Sequence, residues 1–205
     1  SVSAPIQIAV RVDTDVNGFS YPGGFRVWPF TYIAVHRTTG TLYAVWHDVT
    51  GVVGGNNNVD LLFSRSTDQG STWSPAVVIN GDSDPPGDQF YPWLEIDQQG
   101  RLHMMFLDTR NTVQDDADAE GWIDAYYSSS EDEGATWTEH RLTPAPFPVG
   151  SEFFGDYCGL AVAADRVYPV YPSTINGDPD IFSQLILISS QFFADGFESG
   201  DFSAW

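Results

Sequence analysis

The chain of 205 residues is long enough to bury a sizeable core, and its 28 acidic residues outnumber eight basic ones, all arginine, for a formal net charge of −20. Such a surface repels nucleic acid and anionic membranes, so neither is an expected partner, and no apolar run approaches the roughly 20 residues of a spanning helix. The single cysteine, Cys158, excludes an internal disulfide framework and reads as a small buried apolar side chain. An acidic, soluble surface suits a secreted protein or a high-salt setting. Ser1 leads straight into strand-like sequence with no signal peptide, which fits a mature or truncated form.

Short β-rich runs bounded by Gly, Pro, Asn and Asp recur throughout, and no stretch sustains a helical period, so an almost entirely β chain is expected. Residues 3–12 read as an orphan outer strand, since Ser3-Ala4-Pro5-Ile6-Gln7-Ile8 resembles Ser74-Pro75-Ala76-Val77-Val78-Ile79 further along. A first unit, about 29–80, runs through Tyr32-Ile33-Ala34-Val35, a turn at Thr39-Gly40, Leu42 to Trp46, a long loop, Val59 to Ser64 and Ala76 to Ile79. A second, about 88–143, repeats that order with Trp93 to Ile96, a turn at Gln99-Gly100, Leu102 to Leu107, a longer loop, Ile123 to Ser128 and Glu139 to Leu142. The third, about 152–190, gives Gly159 to Ala163, a turn at Ala164-Asp165, Val167 to Tyr171 and Asp180-Ile181-Phe182-Ser183, with no clear fourth strand. Residues 192–205 form a separate acidic, aromatic tail.

Between the third and fourth strands of the first two units stands the same motif, Ser-x-Asp-x-Gly-x-Thr-Trp. One copy places Ser66, Asp68, Gly70 and Trp73, the other Ser130, Asp132, Gly134 and Trp137. In each the Asp is suited to accept backbone N–H bonds, the Gly to supply a positive φ and the Trp to anchor the loop from beneath. The motif resembles the Asp box of the sialidase/BNR-repeat proteins. That resemblance implies a β-propeller of four-stranded antiparallel blades, with the boxes on the side away from the functional face. Residues 1–191 would then be a sialidase-like propeller segment, and the strand count of one, four, four and three gives about three blades' worth. Closed propellers need about four to eight blades. The expected partners are therefore a missing N-terminal half of the propeller or a second copy of the chain, alongside a glycan or extracellular protein.

The resemblance also implies where chemistry sits. The functional face would be built by loops between blades and by loops joining second and third strands, here 13–29, 48–58, 81–91, 108–122 and 144–157. Sialidases hold a substrate carboxylate with arginines, whose planar fork matches it, and use an Asp acid/base with a Tyr nucleophile. The candidates carried over are Arg26, in Phe25-Arg26-Val27-Trp28-Pro29, and Arg110 for the carboxylate, with Tyr157 and Asp156 for catalysis. Phe25 to Pro29 departs from the family's Phe/Tyr-Arg-Ile-Pro motif by one extra residue, and no third arginine is placed at that face. Asp108 caps the second strand beside Arg110, and its counterpart Asp48 suggests a loop anchor as the alternative role. Trp28, Trp93 and Trp122 are candidate binding aromatics. No cofactor is required. Asp115, Asp116, Asp118 and Glu120 form a run that could take Ca²⁺ through hard oxygen ligands, with a solvated acidic loop as the other reading.

The tail, with its Asp-Gly-Phe-Glu-Ser-Gly-Asp stretch, is similar to C-terminal tails of secreted bacterial proteins and implies a secreted, extracellular or cell-surface setting. The reading that follows is an extracellular propeller segment that binds glycan or protein, or assembles, rather than an autonomous catalyst. Its alternative is the C-terminal part of a secreted exo-sialidase-type glycoside hydrolase.

Overall fold

The structure, a computed structural model, describes residues 4–12, 19–20, 26–28, 30–53, 56–81, 87–111, 121–149 and 158–188. Strands β1 (Phe19–Ser20) and β2 (Arg26–Val27) pair as a short ribbon. The first blade follows as β3 (Thr31–Val35), β4 (Leu42–Val53), β5 (Asn56–Ser66) and β6 (Val77–Val78), hydrogen-bonded in chain order. The second is β7 (Gln89–Ile96), β8 (Leu102–Asp108), β9 (Gly121–Ser130) and β10 (Thr138–Arg141), with β11 (Phe147–Val149) continuing the β10 edge along the start of β9. The third comprises β12 (Gly159–Ala163), β13 (Arg166–Ser173), β14 (Asp180–Ser183) and β15 (Ile186–Leu187). All pairings are antiparallel, as the short connections and alternating patterns require.

Strands β14 and β15 are one strand in one register, since Val170 faces Ser183 and Val167 faces Ile186. The interruption falls opposite Pro169, which has no N–H to donate to a ladder. The third blade thus has three strands among the described residues, as its sequence implied. In the first blade the expected loop over 48–58 is instead mostly hairpin. Strands β4 and β5 pair out to Val53 and Asn56, with a register shift between Val49 and Gly51. Val49, Val52 and Val53 favour extended backbone, and Thr50 is the extra residue of the bulge. Residues 4–12, expected as an outer strand, form no ladder. An outer strand needs a third strand beside it, and no described strand pairs with this segment. The 192–205 tail lies outside the described residues.

Two cores lie between the sheets. Tyr43, Val45, Leu61 and Phe63 of the first blade meet Leu94, Leu102, Met104 and Phe106 of the second. Met105, Leu107, Ala125 and Tyr127 of the second meet Leu160, Val167 and Tyr171 of the third. Each such side chain stabilises by about 1.5 to 3 kcal/mol on burial, so these two seams hold the blades together. The seam positions recur by register. Ile33 pairs with Ala44, Leu94 with Met104 and Leu160 with Pro169, each two residues up from the inner hairpin.

The two Asp-centred loops match bond for bond. Asp68 Oδ1 accepts from the Ser66 hydroxyl and the Thr72 N–H at 2.8 Å each, its Oδ2 accepts the Thr72 hydroxyl at 2.7 Å, and Gly70 N–H donates to Ser66 Oγ at 2.8 Å. Asp132 repeats this with Ser130 and Thr136 at 2.9, 2.8 and 2.6 Å, and Gly134 N–H reaches Ser130 Oγ at 2.8 Å. These donors, Thr72 and Thr136 foremost, hold both carboxyls down at about 2. Positive φ occurs not only at Gly70 and Gly134 but also at Gln69 (58°) and Glu133 (59°), which the motif's variable positions did not disclose.

Candidate functional site

The blade ends opposite the Asp-centred loops carry two neighbouring constructions, one ionic and one aromatic. In the second blade β8 ends at Asp108, whose carboxylate is buried and faces Asp124 across the ladder. Arg110 folds back over it. Its Nε donates to Asp108 Oδ2 at 2.7 Å, its backbone N–H to Oδ1 at 2.6 Å, and its Nη1 to Glu139 Oε2 at 2.6 Å. The guanidinium also lies 4.5 Å from the centroid of the Tyr126 ring. Burial opposes its charge, but the Asp108 and Glu139 carboxylates outweigh that and raise its pKa above the ordinary arginine value.

Asp124 is saturated in turn. It accepts from Arg141 Nη2 at 2.7 Å, from the Thr143 hydroxyl at 2.6 Å and from Asn111 Nδ2 at 3.0 Å. Asn111 Nδ2 also donates to the Tyr126 hydroxyl at 2.7 Å. The loop leading into β7 closes on this group. A Cβ on Gly87 would lie 2.4 Å from the Arg110 nitrogen, so only glycine fits there. Beside it Asp88 accepts the Val59 N–H of the first blade at 2.8 Å and donates its own N–H to Thr109 Oγ1 at 2.8 Å. The Val59–Asp88 bond ties the first two blades together at this end, and the Asp88–Thr109 bond fixes the Asp88 end of it.

The aromatic construction begins at a bulge. The β7 ladder shifts register between Phe90 and Trp93, and Tyr91 takes φ +53°, a conformation that costs a side-chain-bearing residue strain. Three neighbours hold it. Trp28 N–H donates to its hydroxyl at 3.3 Å, Phe30 packs at 5.4 Å between ring centroids, and His47 sits edge-on at 6.0 Å. The bulge turns Trp93 onto Tyr32 of the first blade, with ring centroids 4.6 Å apart, and Trp93 Nε1 donates to Glu95 Oε1 at 3.4 Å. Both rings are half-buried, so each leaves part of its surface open. His47 is wholly buried. Desolvation, then the Arg11 cation, push its pKa down to about 3, with the Trp28 backbone offsetting part of the shift.

The expected site residues thus fall into separate places. Trp28 bonds the Tyr91 hydroxyl through its backbone and Trp93 packs on Tyr32, while Asp108 and Arg110 form the ionic group, Asp108 facing Gln89 in the ladder. Arg110 directs its guanidinium at Asp108 and Glu139. Trp122 is exposed on β9 opposite Pro148. Arg26 lies in β2 opposite Ser20, and only its backbone is described. Asp156, Tyr157, Asp115, Asp116, Asp118 and Glu120 lie outside the described residues. Among the described residues no group of three His, Cys, Asp or Glu side chains could hold a metal, and no helix is long and apolar enough to cross a membrane.

Sequence reasoning missed Tyr32, Glu139, Tyr126 and Arg141 as members of this end. Arg141, which the sequence did not place at this face, is delivered by β10 to Asp124. The available signal was the recurrence of Asp60, Asp124 and Asp180 in the first half of each third strand, which asks for a partner on the fourth. Asn80 Nδ2 meets Asp60 Oδ1 at 2.8 Å in the first blade, as Thr143 and Arg141 meet Asp124 in the second.

No protein-family model and no curated protein matches the chain. Solved structures do. A protein of unknown function from Dyadobacter fermentans is 15% identical over 83% of this chain and 39% of its own, with a TM-score of 0.52. A Hadza microbial sialidase is 17% identical over 75% of this chain and 30% of its own, at 0.50. A family 117 glycoside hydrolase from the marine bacterium Zobellia galactanivorans is 12% identical over 82% of this chain and 55% of its own, at 0.49. The chain therefore spans less than two thirds of the length of each. The likeness is one of fold, an all-β chain of propeller-type, four-stranded antiparallel blades.

Proposed function

We propose that this chain is a secreted, sialidase-like propeller segment, its Asp-centred loops Asp boxes, and that it binds glycan at the blade ends opposite those boxes. The observation that carries this reading is the Tyr32–Trp93 pair, set by the strained Tyr91 bulge, with Glu95 beside it. Sugar rings present apolar C–H faces edged with hydroxyls. Partly open aromatic rings cover those faces, and carboxylate and amide oxygens accept from the hydroxyls. Strain kept at one residue by three neighbours is the kind of cost retained at a binding site. The sialidase among the structural neighbours supports the glycan theme, and the acidic composition and tail support export.

Binding rather than autonomous catalysis is favoured by Arg110. A carboxylate-binding arginine needs an open fork, and this one is engaged by two carboxylates. The second reading is a glycoside hydrolase to which this chain contributes Asp156 and Tyr157, with Arg26 at the carboxylate. It is favoured by the sialidase neighbour, of which the chain spans 30%. An array of sialylated and neutral oligosaccharides, run beside hydrolysis of a fluorogenic sialoside, separates the two. Retention without turnover supports binding, turnover supports the hydrolase, and neither would contradict the glycan reading. Added millimolar Ca²⁺ is expected to leave stability nearly unchanged, and a large rise in melting temperature would assign the 115–120 acidic run to the ion.

A further inference from the structure

We propose that a cavity at the blade ends carrying the Asp-centred loops binds a small organic monocarboxylate with an apolar body. The inner hairpins of the three described blades converge there around about 400 Å³ of open space, a volume suited to a small ligand. His36 and Arg37 come from the β3–β4 hairpin, Ile96 and Asp97 from β7–β8, and Val162 and Ala164 from β12–β13. The β3–β4 turn packs beside the first Asp-centred loop, since a Cβ on Gly40 would lie 4.0 Å from Gln69 Cγ. The cavity is therefore at the opposite end of the sheets from the bulge at Tyr91, and it is independent of the glycan reading.

Arg37 is the cation of this cavity. Every other arginine whose side chain is described lies within 3.8 Å of a carboxylate, whereas Arg37 is exposed and meets none among the described residues. Its planar fork is left open for a carboxylate. His36 beside it is set by Gly100, where a Cβ would sit 2.6 Å from His36 Nε2, so only glycine admits the ring. His36 Nδ1 accepts the Thr38 and Thr39 N–H groups at 3.2 and 3.3 Å, which leaves the proton of the neutral ring on Nε2 as a second donor. Asp97 does not compete for Arg37. Its side chain is 1% exposed and already accepts Arg101 Nε at 2.6 Å and the Gln99 and Arg101 N–H groups at 2.9 Å each. Ala164 takes φ +55° in a two-residue turn between Ala163 and Arg166, a conformation glycine adopts freely, so the cavity wall also holds backbone strain of the kind kept at ligand sites. One guanidinium compensates one negative charge, and a chain of net charge −20 disfavours a second, which selects a monocarboxylate over phosphate or sulfate. Ile96, Val162 and Ala164 offer apolar surface to its body.

Saturation-transfer NMR on the whole chain, with cyclohexanecarboxylate as the probe, tests the inference. Saturable binding is expected, and the neutral cyclohexanecarboxamide should bind at least about tenfold more weakly. Arg37→Gln should raise the dissociation constant of the probe at least about tenfold without lowering the melting temperature, because Arg37 is exposed and holds no described partner. Arg65→Gln removes the same charge from the same end of the blades, where Arg65 pairs with Glu133, and should leave the affinity within about twofold. No saturable binding, or binding indifferent to Arg37→Gln, overturns the inference. An equal loss in both variants also overturns it, since the effect is then one of general charge. Inorganic phosphate or sulfate that displaces the probe at equal concentration overturns the choice of a monocarboxylate.

Discussion

Phe63 of the first blade meets Trp137 of the second edge-on, with ring centroids 5.7 Å apart and planes at 76°. Trp137 also donates its indole N–H to Gly134 O at 3.1 Å, so one side chain ties its own loop to the neighbouring blade. Trp137→Ala is expected to cost about 3 to 5 kcal/mol in urea unfolding. Trp73 occupies the same place in the first loop, where the described residues offer no preceding blade, and Trp73→Ala should cost clearly less. Equal costs would contradict this inter-blade role.

The same contact sets a glycine hierarchy. A Cβ on Gly134 would sit 2.4 Å from the Phe63 ring, whereas on Gly70 it would lie 3.3 Å from a Leu42 methyl, and both glycines have strongly positive φ. Both alanine variants carry the backbone penalty, and only Gly134→Ala adds a clash with a packed ring. Gly134→Ala should therefore lower the melting temperature further than Gly70→Ala, and the reverse order would count against the seam.

His47 makes the fold acid-sensitive. Its pKa falls from the ordinary histidine value near 6.5 to about 3 in the folded chain. Between those values the unfolded chain binds the extra proton, so this contribution is fully present above about pH 6.5 and is lost progressively as pH falls toward 3. The second blade carries Leu107 at the matching register position, which makes His47→Leu the natural variant. Denaturant unfolding across that range should show a shallower loss of stability for the variant, by several kcal/mol at the acid end. Parallel curves would contradict it.

Arg110 compensates two carboxylates, one of them wholly buried. Arg110→Met should cost about 3 to 5 kcal/mol, since the buried Asp108 carboxylate then loses the guanidinium that compensates it. Glu139→Gln leaves Asp108 paired and should cost about 1 to 2. Equilibrium unfolding of both variants checks the order, and a loss below about 1 kcal/mol for Arg110→Met would contradict the anchoring role.

Much of the fold was legible because its determinants are local. Ser66, Asp68, Gly70 and Thr72 bond within four residues of one another, and the strand pattern from Val35 to Leu42 repeats from Ile96 to Leu102. The candidate site was less legible because its contacts are not local. Arg110 finds Glu139 29 residues on, and Trp28 finds Tyr91 63 residues on. Nothing in Phe90-Tyr91-Pro92-Trp93 announces a positive φ at Tyr91, because that strain is held by neighbours from other strands. The loop over 48–58 was misread for a related reason. Its Gly and Asn residues suggested breaks, while the pairing of Val52 with Asn57 across the bulge kept the hairpin going.

Trp93 is where the glycan reading can be tested most directly. Titration of sialylated and neutral oligosaccharides into the chain, followed by tryptophan fluorescence, should give a saturable change in the wild type. With Trp93→Ala the affinity should fall at least about tenfold, while Trp73→Ala, on the opposite end, keeps it. Saturable binding that survives Trp93→Ala unchanged, or no binding by the wild type to any of these sugars, would contradict a glycan site at the Tyr32–Trp93 pair.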